Sequence, residues 1–203
     1  MNVLFCRHGE TVFNVQDKFQ GVSDSPLTTN GVLQAEALNQ FLTMHFVPDQ
    51  VLMSPLPRVK STIQIGLKNL QPAISVRQDL KEICYGNWEA VDKAELKLLP
   101  AWQVRMQDRY HFVHPGEFEG LPGESYAQLY QRLLPLFSKL EQLGNEQVVV
   151  CTHIGVLRCV LKYFEHLSDE QTGALEISQL DLLLVTGQQS VERKTLLVPK
   201  GVA

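Results

Sequence analysis

Three short runs rich in Val and Leu, Val3–Cys6, Val51–Met53 and Val148–Cys151, restrict this 203-residue chain more than any other feature. None alternates with polar residues, so each reads as a strand buried on both faces. Each run is followed by a helical pattern. After the first, Thr28 is a candidate N-cap and Val32, Ala35, Leu38 and Leu42 recur at helical spacing through His45. After the second, Pro55 and Pro57 suit a loop and a first helical turn leading into Val59–Leu70. After the third, Val156, Val160, Leu161 and Phe164 share a face, with Arg158 and Lys162 opposite. Strands alternating with helices predict an α/β fold, three layers deep, with helices on both sides of a mostly parallel central sheet.

The remaining segments fit around that plan. Ile74–Val76 reads as a further strand, and Leu180–Val185 and Val191–Leu197 as a terminal antiparallel pair joined through Gly187-Gln188-Gln189-Ser190. Ser125–Leu143 is a long amphipathic helix in which Pro135 predicts a kink or a break. No repeat, linker or low-complexity tract divides the chain, so residues 1–203 are read as one domain. The stretch from about Gly86 to Gly123 follows the pattern least. It carries Trp88, Trp102, Arg105, Arg109, Tyr110, His111, Phe112 and His114 without a clean period. Two readings are open for it: a helical lid over a binding site, or a peripheral excursion whose aromatics simply pack down.

Composition removes several function classes. Charged residues are 20% and hydrophobic residues 44% of the chain, an ordinary globular balance that excludes intrinsic disorder. The formal charge of −4 opposes nucleic-acid binding, and no apolar run approaches the 18–20 residues or so of a membrane span. Arg7 interrupts the apolar start too early for a signal peptide, and Cys6, Cys84, Cys151 and Cys159 lack CxxC spacing. A cytoplasmic protein with reduced, buried thiols is expected, as a monomer or a homodimer.

The chemistry is concentrated just after the strands. The first ends in Arg7-His8-Gly9-Glu10-Thr11, the second in Ser54-Pro55-Leu56-Pro57-Arg58, the third in Thr152-His153-Ile154-Gly155. Ligands of open α/β sheets bind beyond the carboxyl ends of the strands, so parallel neighbours would bring two histidines and two arginines to one crevice. Forked guanidinium donors match a phosphoryl group, and peptide N–H groups near Ile154 and Gly155 at a helix N-terminus would add to them. A carboxylate is a physically possible competitor. In such a pocket a neutral imidazole can attack phosphorus, and an imidazolium can stabilise the equatorial oxygens. No Asp-x-Asp, His-x-x-x-His or Cys/His cluster offers a metal set and no Walker loop is present, so neither metal nor cofactor is expected.

Taken in order, these motifs resemble the histidine phosphatase superfamily, the phosphoglycerate-mutase-like proteins. Arg7-His8-Gly9-Glu10-Thr11 with Asn14 is similar to its signature, and Gln20-Gly21 stands where the family has a substrate loop. Ser54-Pro55-Leu56-x-Arg58 with Ser61-Thr62 resembles the second motif. Leu80-x-Glu82 with Gly86-x-Trp88-Glu89 resembles the acid-bearing segment, and Thr152-His153-x-Gly155 the last motif. The departures are Pro57 before Arg58 and Ala90, where a glycine often follows Trp-Glu.

The resemblance implies roles. His8 would be the nucleophile that becomes phosphohistidine, His153 would stabilise the transferred group, and Arg7, Arg58 and Asn14 would complete the phosphate pocket. Glu82, in the apolar setting Leu80-Lys81-Glu82-Ile83-Cys84-Tyr85, would protonate the leaving alkoxide, with Glu10 a weaker competitor that is better suited to orienting the loop. The expected substrate is a small phosphorylated metabolite. The chain's size and its Gly86-x-Trp88-Glu89 segment are similar to bacterial α-ribazole phosphatases, which implies α-ribazole 5′-phosphate and cobalamin nucleotide-loop assembly. Trp88, Trp102, Tyr110 or Phe112 could stack on its heterobicycle. A broad sugar-phosphate phosphatase, a phosphoglycerate mutase and a non-catalytic phospho-ligand binding module are the alternatives.

Overall fold

A computed structural model describes residues 1–187 and 190–198, so Gln188, Gln189 and the tail 199–203 lie outside the described residues. Its six-stranded sheet has the order β3-β2-β6-β1-β7-β8. The strands are β1 Asn2–Arg7, β2 Gln50–Met53, β3 Ala73–Val76, β6 Gln147–Thr152, β7 Asp181–Thr186 and β8 Val191–Thr195. β6 lies between β1 and β2 and is parallel to both, and β3 extends the parallel set. β7 and β8 add antiparallel at the other edge. Mostly parallel is therefore the observed sheet.

Period-2 alternation of fully apolar strands sends each strand's side chains into two separate cores. Val3 and Phe5 of β1, with Val148 and Val150 of β6, face α6 Tyr126–Glu141 and α7 Ile154–Glu165. Leu4, Cys6, Val149 and Cys151 face α2 Thr29–His45 and α3 Pro57–Gly66 on the opposite side. The result is the expected three-layer α/β/α fold. The four cysteines are buried free thiols.

Local chemistry explains the helix boundaries. The Thr28 hydroxyl accepts from the Gly31 N–H at 3.0 Å and caps α2. Pro57 occupies the first turn of α3, which ends at Gly66 rather than at Leu70. Ser125 and Gln128 form a capping box at the start of α6. Pro135 does not end that helix. Gln131, whose carbonyl loses its intrahelical partner to the proline, is exposed, so solvent can take that bond.

Residues 86–123 fold as a small unit above the sheet. It has a 3-10 turn Gly86–Trp88, α4 Lys93–Leu96, α5 Pro100–Gln107 and a hairpin of β4 Glu117–Phe118 and β5 Leu121–Pro122. Its aromatics mostly pack on one another: Trp88 stacks on Trp102 and Phe112, and His114 meets Trp88, Phe112 and Tyr85 edge-on. Trp88 and Tyr110 are buried in the core. Two backbone hydrogen bonds, Phe19 N to Val91 O at 3.0 Å and Ala90 N to Phe19 O at 2.8 Å, join this unit to the segment after the first strand.

Ala90 makes that junction with φ of 60°, in the left-handed region. Such a conformation costs an L-residue roughly 1–2 kcal/mol, which accounts for the family's glycine here. Glycine's own loss of backbone freedom takes back about 0.5–1 kcal/mol. Ala90→Gly is therefore expected to stabilise the protein by up to about 1 kcal/mol, read as a higher urea midpoint. A lower midpoint would show that the left-handed turn carries no strain.

Candidate active site

The β1–β6 register places Cys6 opposite Cys151 and Arg7 opposite Thr152, so His8 and His153 leave the same end of the sheet. Their ring centroids are 5.3 Å apart. β2, on the other side of β6, ends at Met53 and leads through Ser54 to Arg58 on the first turn of α3. The juxtaposition inferred from strand ends is thus the one observed.

Hydrogen bonds identify which ring nitrogen holds the proton. His8 Nδ1 lies 2.8 Å from the Gly9 carbonyl. A carbonyl only accepts, so Nδ1 carries the hydrogen and the lone pair is on Nε2. His153 Nδ1 lies 3.1 Å from Arg58 Nη2, which only donates, so this nitrogen accepts and Nε2–H donates to the Ser54 hydroxyl at 2.8 Å. Both rings are neutral in this arrangement. Burial holds both pKa values well below the ordinary histidine range, and the charges of Arg58 and Arg7 push the same way.

Arg58 is almost wholly buried. Its Nη2 also donates to the Gly21 carbonyl at 2.6 Å, and Nη1 to the Ser23 carbonyl at 2.9 Å and to Asp24 at 3.1 Å. Burial lowers the Arg58 pKa, opposed first by Asp24, and burial brings Arg7 to about 10, opposed by Glu82. Both remain cations at neutral pH. The Nε–H groups of Arg7 and Arg58 are buried without a partner. An anion at this place would supply the missing acceptors.

Glu82 is 2% exposed. Its Oε1 accepts from the Ile83 N–H and its Oε2 from the Gly155 N–H, each at 2.9 Å. A Cβ at position 155 would sit 2.1 Å from Glu82 Oε1, so only glycine admits the carboxylate to the start of α7. From its place at a helix N-terminus, the Gly155 N–H is expected to serve a phosphate. The structure corrects this: it serves Glu82, and so ties the candidate acid to the segment carrying His153. Glu10 is engaged elsewhere, accepting from the Thr28 hydroxyl at 2.7 Å.

Asn14 and Gln20 act within the neighbouring loop. Asn14 Oδ1 accepts from the Thr11 N–H and from Gln179 Nε2, and Gln20 Oε1 accepts from the Thr11 hydroxyl. Asn14, Gln20, Arg7 and Ile154 line a cavity of about 570 Å³; the two buried imidazoles do not line it themselves but are the chain neighbours of Arg7 and Ile154, which do. Gly21 contributes its backbone, accepting from Arg58 and donating to Glu89.

The cationic lining of the cavity was not legible from spacing. The cavity is also lined by Lys18, Lys93, Lys97, Arg105, Arg109 and Arg158, with only Asp17 and Glu176 of opposite sign. Asp17 already pairs with Lys93. Arg105 and Arg158 are buried, and the Nε–H groups of Arg105 and Arg109 have no partner. Arg158 was expected on the face of α7 away from the core, but it turns under Tyr126 and the Leu175 carbonyl instead. Of the four aromatics proposed to stack on a ligand, Trp102 alone lines this cavity. Among the described residues, no group of three or more His, Cys, Asp and Glu side chains is placed to hold a metal.

The neutral histidines make stability depend on pH. In the unfolded chain they take up protons near pH 6.5, whereas in the folded chain His8 and His153 do so only far lower and His114 at about 4. The unfolded state then binds more protons, so stability must fall as pH drops below about 6.5. The expected slope is up to about 1.4 kcal/mol per pH unit for each histidine. Urea unfolding at pH 7.5 and pH 5 measures it, and His114→Phe should remove one histidine's share. A stability unchanged over that interval would contradict the neutral assignment.

Comparison with known proteins places this geometry. The model of the histidine phosphatase superfamily (branch 1) matches residues 3–197. The 6-phosphofructo-2-kinase/fructose-2,6-bisphosphatase 3 of Rattus norvegicus is 34% identical over 186 residues, covering 91% of this chain and 31% of that protein. The chain thus spans about a third of the length of that relative. The adenosylcobalamin/alpha-ribazole phosphatase of Escherichia coli K12 is 29% identical over 164 residues, covering 79% of this chain and 77% of that one. The solved structure of the alpha-ribazole phosphatase from Shigella flexneri superposes with a TM-score of 0.80 at 25% identity, covering 97% of this chain and 96% of that one. With its model matched across nearly the whole chain, the protein belongs to the histidine phosphatase superfamily.

Proposed function

We propose that this protein is a metal-independent phosphomonoesterase working through phosphohistidine on His8, and that its substrate carries a second anionic group besides the phosphoryl group transferred. The observation that carries the reading is the set of four buried guanidinium Nε–H groups without partners, on Arg7, Arg58, Arg105 and Arg109. The first two flank the imidazoles. The other two line the cavity together with Arg7.

In the first step His8 Nε2 forms a bond to phosphorus while the bond from phosphorus to the leaving oxygen breaks. Protonated Glu82 gives its proton to that oxygen. Arg7 and Arg58 neutralise the equatorial oxygens and His153, fixed by Ser54 and Arg58, stands beside the transferred group. In the second step the Glu82 carboxylate takes a proton from water, the oxygen of that water bonds to phosphorus, and the N–P bond breaks to release phosphate. The charge is met by arginine, so EDTA is expected to leave turnover intact. Glu82→Gln should slow hydrolysis of alkyl phosphates far more than of p-nitrophenyl phosphate, whose leaving group needs less protonation. Equal losses on both would remove Glu82 from the acid role.

The second anion distinguishes substrate classes. A bisphosphorylated or phospho-carboxylic sugar derivative would use Arg105, Arg109 and Arg158, in keeping with the fructose-2,6-bisphosphatase named in the rat relative. A second reading, α-ribazole 5′-phosphate, is favoured by the Escherichia coli and Shigella proteins and by Trp102 in the cavity wall, but its single phosphate leaves the Arg105 and Arg109 guanidiniums unpaired. A charge-assisted hydrogen bond of about 1.5–3 kcal/mol corresponds to roughly ten- to hundredfold in kcat/KM. Arg105→Ala is expected to cost that much on fructose 2,6-bisphosphate and almost nothing on p-nitrophenyl phosphate. A wild-type preference for α-ribazole 5′-phosphate that Arg105→Ala leaves unchanged would overturn the second-anion reading while leaving the phosphohistidine chemistry in place.

A further inference from the structure

Glu89 lies outside the reacting groups, yet it is a buried carboxylate, 6% exposed, without a cationic side chain in hydrogen-bond contact among the described residues. It accepts five hydrogen bonds. Oε2 takes the N–H groups of Gly21 at 3.0 Å and Ser23 at 3.1 Å together with the Ser23 hydroxyl, and Oε1 takes those of Val22 and Tyr85 at 2.9 Å each. Four of these five donors belong to the three-residue loop 21–23. The carbonyls of the same loop, on Gly21 and Ser23, accept from Arg58 Nη2 and Nη1. The loop is therefore wedged between a carboxylate that gathers its N–H groups and a guanidinium that takes its carbonyls.

Arg58 in turn donates to His153 Nδ1. We infer that Glu89 is the positioning residue of the phosphate pocket: by fixing loop 21–23 it sets the guanidinium of Arg58 against His153 and the transferred phosphoryl group. The sequence adds its own support at position 21. A Cβ there would lie 2.0 Å from the Ile83 carbonyl and 2.3 Å from Glu89 Oε1, so a glycine is needed to seat the loop on the carboxylate. Glu89 also accepts from Tyr85 and follows the turn Gly86–Trp88, so one side chain joins the lid's first residues to the anion site. Loosening this carboxylate would lower phosphate affinity and turnover through Arg58, without touching substrate.

The inference rests on Arg58 serving a phosphoryl group, as the proposed function has it, and its test has a readout that needs no turnover. Binding of inorganic phosphate is measured by titration calorimetry for wild type, Glu89→Gln, Arg58→Ala and the double variant, with kcat on p-nitrophenyl phosphate alongside. Glu89→Gln is expected to weaken phosphate about tenfold and to lower kcat, while the double variant binds phosphate no more weakly than Arg58→Ala alone. Glu89→Asp, which keeps the charge, should fall between wild type and Glu89→Gln, and it takes the latter's place in the cycle should the glutamine variant not fold. Wild-type phosphate affinity in the Glu89 variants, or losses that multiply in the double variant, would overturn the assignment. Coupled phosphate binding in a protein that hydrolyses no ester would sink the phosphatase reading and keep this one.

Discussion

Two buried guanidiniums with unfilled donor capacity are the constraint from which the rest of the site follows. Removing a cation from water costs several kcal/mol even after relaxation, and each unpartnered buried N–H adds about 1–3 kcal/mol. Arg58 is partly compensated by Asp24 and two carbonyls. The Nε–H groups of both Arg7 and Arg58 remain unpaired. The same positive charges, with burial, keep both imidazoles unprotonated, which leaves His8 Nε2 with the lone pair that an attack on phosphorus requires. In the proposed reaction, anion binding and nucleophile activation would therefore come from one electrostatic arrangement, set up before any ligand arrives.

The sheet makes that arrangement cheap to build. Placing β6 between β1 and β2 gathers three strand ends in one row, and each end delivers part of the site: Arg7-His8, Ser54 with Arg58, and His153. Gly155 then draws Glu82 to the beginning of α7. Around this core the 86–123 unit has a double character. Its aromatics form a packed layer of their own, while Arg105 and Arg109 from the same unit meet Arg158 of α7 over the cavity. Arg7, next to His8 in the chain, thus lines the same cavity as these three arginines.

Much of this was legible in the chain. β1, β2 and β6 declared themselves because strands covered on both faces cannot afford polar residues, and the residues following them carried the site. Strand order was not legible, since pairing depends on packing across long separations. Proton positions were not either: the roles of Ser54 and the Gly9 carbonyl depend on ring orientation. Glu89 was visible as part of a motif without a task, because four of its five hydrogen bonds come from residues 66 to 68 positions away and the fifth from Tyr85. Whether Pro135 would break its helix was not legible, because the freed carbonyl belongs to the exposed Gln131 and its access to water depends on packing. The aromatics of residues 86–123 looked ligand-facing by type, but their spacing could not reveal that they satisfy one another.

The central claim is that His8 itself accepts the phosphoryl group, and trapping the intermediate tests it most directly. Wild-type protein mixed with p-nitrophenyl phosphate, quenched in alkali within milliseconds and mapped by mass spectrometry, should carry one acid-labile phosphoryl group on His8. The label should vanish on chase with water and be missing from His8→Ala. A stable label on another residue, or undiminished hydrolysis by His8→Ala with no trapped phosphoenzyme, would contradict the account.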